Sequence, residues 1–123
     1  MDEPKHGVYS VGDPRLWDLH ERVIKVMALH PDLGYLGFGF EAPSNLEDFV
    51  VQVAHCIDYL EDVQLRKGRS SYQLKHHAEQ ACDTYVSNGA LIVAAFIRGL
   101  PVKRDTNPIA RFRTQNATIG GKT

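Results

Sequence analysis

The chain has 123 residues, 43% of them hydrophobic and 24% charged, with a net charge of −1 and two cysteines. That is ordinary composition for one soluble domain, long enough to bury roughly two thirds of its unfolded surface without a metal or disulfide staple. The longest apolar run, Ala90 to Ile97, is far short of the roughly twenty residues that span a bilayer.

MDEPKHGVYSVGDP lacks the basic and apolar regions of a signal peptide, so residues 1–12 read as an N-terminal arm. Asp13-Pro14 is an N-cap followed by proline at the first helical position. Leu16, Leu19, Val23, Val26, Met27 and His30 then recur at helical spacing until Pro31. Trp17 and Ile24 widen the apolar face, which predicts a helix packed against more than one partner and offers a surface for a homodimer.

PDLGYLGFGFEAP, residues 31–43, alternates glycine with aromatics and predicts a loop, with a strand-like piece at Tyr35–Phe40 acting as an aromatic lid over the core. Gly34, Gly37 and Gly39 fit no phosphate-binding spacing. Ser44-Asn45-Leu46-Glu47 matches a capping box in which Ser44 and Glu47 serve backbone N–H groups reciprocally. It opens a helix along Leu46, Phe49, Val50, Val53, Ile57, Leu60 and Val63, with Gly68 as its stop. Glu47, Asp48, Asp58, Glu61 and Asp62 mark its wet side as one acidic face, suited to a partner. A shared environment does not split carboxylate pKa values for acid–base catalysis.

Ser70 or Ser71 starts a third helix, with Ser70 and Gln73 as a weaker capping box, running through Leu74, His77, Ala78 and Ala81 towards Tyr85, and Ser87 starts a fourth that is apolar on every side and therefore central. An all-apolar helix cannot read base edges, which excludes a helix-turn-helix reader. The N-terminus of helix four, Ser87, Asn88 and Gly89, offers backbone N–H groups to an anion or partner, with Lys75 and His76 on the preceding helix. His55, Cys56, His76, His77 and Cys82 lack the short paired spacing of a zinc site, so no metal and no cofactor is expected. The unpaired cysteines suit a reducing compartment, the cytoplasm.

Residues 101–123 form a basic C-terminal tail in which Lys103, Arg104, Arg111 and Arg113 suit a phosphate backbone or an acidic partner. Residues 1–62 carry twelve Asp/Glu against four Lys/Arg, and residues 63–123 carry ten Lys/Arg against three Asp/Glu, a split of −8 and +7.

The runs SSYQLKHHAEQ and YVSNGALIVAAFIRGLPVKR, within Ser70 to Arg104, resemble small uncharacterised proteins of phages, plasmids and similar mobile elements. The resemblance implies an accessory protein and supplies no catalytic residues. The expectation is a single all-α domain over residues 1–123, a compact bundle of four main helices with a central apolar fourth helix and the basic tail. Short strands over Gly34–Phe40 and Ile109–Thr114, paired with each other, are the alternative. Its expected role is non-enzymatic: binding a protein partner such as a host nucleic-acid-handling or defence complex, or binding nucleic acid directly through the tail.

Overall fold

Helix α4, Asn88–Ile97, takes the central place that its all-apolar sequence demands, with every residue from Asn88 to Ala95 buried. Leu91, Ile92 and Val93 are fully inaccessible, each worth about 1.5–3 kcal/mol over exposure. A computed structural model of the chain describes residues 9–62, 64–65, 70–104, 110–112 and 117–118, of which 62, 64–65, 104, 110–112 and 117–118 are described by secondary structure alone. Helices α1 (Trp17–Leu29), α2 (Leu46–Asp62) and α3 (Ser71–Cys82) all pack on α4. Phe49, Val53, Leu60, Leu74 and Val23 fill the space between them.

Helix α4 begins at Ser87, whose hydroxyl accepts from the Ala90 N–H at 3.1 Å. It closes with Gly99 at φ +75°, where the Leu100 N–H returns to the Ala95 carbonyl and the Gly99 N–H to Phe96, both at 3.0 Å. This paired closure uses glycine for its left-handed residue. Two cross-links align α2 with α4: Ser87 N donates to Gln52 Oε1 near their N-termini, and Arg98 Nη1 reaches Glu61 Oε2 near their C-termini. The two helices therefore run parallel, and the molecule has an N-terminal end and a C-terminal end along them.

Several expectations change in detail. Asp13 does cap, accepting from the Arg15 N–H at 2.9 Å, but Pro14–Leu16 forms a 3-10 turn and α1 proper starts at Trp17. The cap of α2 is Asn45 and not Ser44: the Asn45 side-chain oxygen accepts from the Asp48 N–H at 3.0 Å. Helix α2 ends at Asp62, ahead of the anticipated stop at Gly68, because Gln64–Leu65 (β3) leaves it to pair with Ala117–Thr118. Only part of the broad apolar face of α1 is packed within the chain: Val23 is buried and Leu19, Val26 and Met27 pack against the core, whereas Trp17 is 70% and Ile24 45% exposed.

The described strands form three separate pairs, and 33–38 does not pair with 110–112. Leu33–Gly34 (β1) and Gly37–Phe38 (β2) form one tight antiparallel hairpin. Val102–Arg104 (β4) pairs with Ala110–Phe112 (β5), setting Lys103 opposite Arg111; Ala117–Thr118 is β6. Among the described residues, no helix is long and apolar enough to cross a membrane.

Candidate functional site

The hairpin β1–β2 sits directly on the N-terminus of α4. Leu33 and Phe38 are partners across it and both are buried, so the hairpin is anchored by its inner side. Its tip residue Tyr35 accepts the Gly89 N–H at 3.0 Å, and Asn88 Nδ2 donates to the Leu36 carbonyl at 3.2 Å. The backbone approach is too close for any side chain at Gly89: a Cβ there would overlap the Gly34 carbonyl oxygen and lie 2.6 Å from that of Tyr35.

This geometry closes the anion site anticipated at Ser87, Asn88 and Gly89. Ser87 is fully buried and Asn88 2% exposed, and the N–H groups of Ser87, Gly89 and Ala90 are taken by Gln52, Tyr35 and the Ser87 hydroxyl. Lys75 is no free cation either: the residue is 8% exposed, and its ammonium lies 3.3 Å from Glu79 Oε2 and sits over the Tyr85 ring at 5.0 Å. The same Glu79 oxygen accepts from the Val86 N–H at 3.4 Å. The anion that this junction attracts is thus the protein's own carboxylate. His76 stays exposed, 3.3 Å from Glu79 Oε1 and edge-on to Tyr72.

The single acidic face divides in two. Asp58 is half-buried and accepts the Tyr9 hydroxyl at 2.8 Å, while Glu61 holds Arg98; the side chain of Asp62 lies outside the described residues. Burial, reinforced by Asp58, pushes the Tyr9 phenol up to about 12. At the other end of α2, Glu47 and Asp48 are exposed in the first turn, near the exposed Glu41. Among the described residues these three have no ion-pair partner, whereas Asp13, Asp18 and Glu61 hold Arg15, Arg22 and Arg98.

Between the hairpin and the start of α2 lies a cleft of about 460 Å³, lined by Tyr35, Leu36, Phe40, Glu41, Asn45 and Asp48 among others. Phe40 and Leu36 are 46% and 43% exposed at its rim. Its floor is held from below by Gln52, a side chain only 5% exposed. Gln52 Nε2 donates to the Tyr35 hydroxyl and to Asp48 Oδ2, both at 3.0 Å, while Oε1 accepts the Ser87 N–H at 2.8 Å. One amide therefore ties the cleft to α2, the hairpin and α4 together. Burial and the neighbouring Tyr35 phenol raise the Tyr85 pKa beside this network.

Of the residues anticipated from sequence, only Asp48 lines the cleft, with Glu47 next to it. Tyr35, Phe40, Glu41 and Gln52 carry no chemical motif; the alternation of glycine with aromatics in 31–43 is the one signal for the first three, and Gln52 has none. Lys103 is exposed on β4; the side chains of Arg104 and Arg111, and Arg113 altogether, lie outside the described residues, as does most of the arm 1–12. Among the described residues, no three His, Cys, Asp or Glu side chains converge as metal ligands. No family model matches the chain, and neither a curated protein nor a solved structure matches it.

The thiols are held protonated. Cys56 is fully buried, which raises its pKa well above the ordinary value, and burial followed by the Asp58 charge pushes Cys82 up to about 11. Raised pKa values in the folded state mean that stability is complete below pH 9 and declines as pH climbs towards 11–12 through the values of Cys82 and Tyr9. Cys82 and Tyr9 keep enough water to screen much of their shift, whereas the fully buried Cys56 is not screened, so the expected loss between pH 8.5 and pH 11 is about 3 kcal/mol, most of it from Cys56. Urea unfolding across that range checks it, and Tyr9→Phe should flatten the upper part of the decline.

Proposed function

We propose that this chain is a non-enzymatic accessory protein that docks its acidic N-terminal end on a basic surface of a macromolecular partner. A host nucleic-acid-handling or defence complex of the cytoplasm is the expected kind, in keeping with the resemblance of Ser70–Arg104 to proteins of mobile elements. The observation that supports it is that Glu41 and Asp48, without ion-pair partners among the described residues, line a concave aromatic cleft, with the exposed Glu47 beside Asp48 in the first turn of α2. Carboxylates presented this way compete with nucleic-acid phosphates for the same lysines and arginines.

The triple reversal Glu41→Lys, Glu47→Lys, Asp48→Lys tests the reading. All three positions are exposed, but the lysines stand at the positive end of α2 and Asp48→Lys removes an acceptor of Gln52, so circular dichroism and the unfolding temperature must first show that the variant folds. The partner that co-purifies with the wild-type chain at low salt should be lost from the variant and should dissociate as salt rises. An unchanged set of partners would sink the proposal.

A second reading, direct nucleic-acid binding, is favoured by the β4–β5 register that sets Lys103 opposite Arg111. Its mark is fluorescence anisotropy that rises on adding DNA or RNA and falls with salt, with a slope of about −3.6 for four duplex phosphate contacts. Replacing Lys103, Arg104, Arg111 and Arg113 with alanine should abolish it. On the first reading, neither duplex nor single strand binds, and the quadruple variant keeps its protein partner.

A further inference from the structure

We infer that the cleft between the hairpin and α2 is a receptor for one arginine side chain, carried on an extended segment of the partner. The inference rests on the docking function proposed above and specifies what its acidic end receives. Two kinds of residue line the same cleft: the aromatics Tyr35 and Phe40, and the acids Glu41 and Asp48. Rings attract a cation through their quadrupole, and carboxylates pair with it by charge-assisted hydrogen bonds. The side chain that uses both at once is a guanidinium, planar enough to stack and forked enough to bind a carboxylate through two N–H groups. An ammonium, compact and strongly hydrated, gains less from the aromatic walls.

The volume agrees. About 460 Å³ lies within the range of ligand pockets, roughly 300–1,000 Å³, and is more than a bare inorganic cation needs. It leaves space for the aliphatic stem of the arginine and the flanking main chain, against Leu36 and Phe40 at the rim. The receptor is also preorganised: Gln52 holds the Tyr35 hydroxyl and Asp48 Oδ2 in place before any ligand arrives, so little ordering entropy is lost on binding. The positive N-terminus of α2 is answered by its own acids, Glu47 and Asp48, and by the Asn45 cap. Glu41, on the hairpin side, adds negative charge beyond what the helix requires.

Among the described residues, each arginine whose side chain is described is tied elsewhere: Arg15, Arg22 and Arg98 pair with Asp13, Asp18 and Glu61. Lys103 follows the C-terminus of α4, at the opposite end of the parallel pair α2–α4 from the cleft.

The test titrates the full chain with three blocked tripeptides, Gly-Xaa-Gly with arginine, lysine or citrulline in the centre, followed by NMR chemical shifts. Citrulline keeps the shape of arginine and removes its charge. The expected result is a saturable response confined to residues 35–52 and to Tyr85, with arginine bound about ten-fold more tightly than citrulline and several-fold more tightly than lysine. Glu41→Gln with Asp48→Asn should lower arginine affinity about ten-fold, and Phe40→Ala several-fold, with unfolding temperatures near wild type. No saturation, equal binding of citrulline, or binding unchanged in both variants would overturn the receptor. If the peptide fails while the triple reversal still sheds its partner, the docking function stands and the arginine receptor falls.

Discussion

Gly89→Ala is expected to remove about 3–5 kcal/mol of folding free energy, enough to unfold a domain whose whole stability is about 5–15 kcal/mol. The cause is contact and not backbone conformation. Gly89 lies in the first turn of α4, where alanine is ordinarily a better helix former by about 1 kcal/mol. Here the Cβ would overlap the Gly34 carbonyl oxygen and crowd the Tyr35 carbonyl, 2.6 Å away. Both obstacles are backbone, and Tyr35 is also hydrogen-bonded to Gly89 itself at 3.0 Å. The hairpin cannot yield without giving up that bond and withdrawing buried Leu33 and Phe38 from the core. Gly34 repeats the constraint from the other side, since a Cβ there meets the Phe40 and Glu41 carbonyls. Gly99→Ala is the control: its φ of +75° disfavours a side chain, but nothing lies within 4 Å, so the loss should be about 1 kcal/mol. Urea unfolding followed by circular dichroism separates them; a loss below about 1 kcal/mol for Gly89→Ala would show that the hairpin is not seated as described.

The same glycine shows where the sequence is legible and where it is not. Periodicity identifies all four helices, and the unbroken apolar run Ala90–Ile97 correctly requires that α4 be central, because burial on every side is a property of the run itself. The caps at Asp13, Ser70 and Ser87 follow from local chemistry and hold, with Ser70 Oγ accepting from the Gln73 N–H at 3.1 Å. The site is another matter. Gly89 reads as an opening for an anion because glycine bares its N–H, yet bareness suits an approaching backbone equally well, and the hairpin is that backbone. Choosing between the two depends on contacts across more than fifty residues, which no local pattern encodes. Trp17 and Ile24 likewise read as core by spacing, although α1 is buried along only part of its circumference. Gln52 was invisible for a related reason: a polar residue within an apolar stripe looks like the wet edge until its three partners are placed around it.

Those three partners make Gln52 the position where stability and the cleft are coupled, and two substitutions separate its roles. Gln52→Leu keeps much of the volume and removes every hydrogen bond, leaving the Ser87 N–H buried without its acceptor. The expected loss is about 2–3 kcal/mol at all pH values, since a stranded buried donor carries its full desolvation penalty. Gln52→Glu keeps an acceptor for Ser87 but loses the donor that serves Tyr35 and Asp48, and sets a second carboxylate against Asp48 Oδ2, where the amide now sits 3.0 Å away. At 5% exposure the new carboxyl is desolvated and faces a like charge, so its pKa in the folded state is raised above the unfolded value of about 4.3. A raised pKa favours the folded state on the acid side. The deficit relative to wild type should therefore be largest near pH 7.5, about 3–4 kcal/mol, and shrink as pH falls through the raised value towards 5, where the protonated acid can again donate to Asp48 or Tyr35. Parallel urea titrations of wild type and variant at pH 5 and 7.5 measure the difference directly. A pH-independent deficit would mean that the new carboxylate reaches water, and hence that the floor of the cleft is looser than the Gln52 network describes.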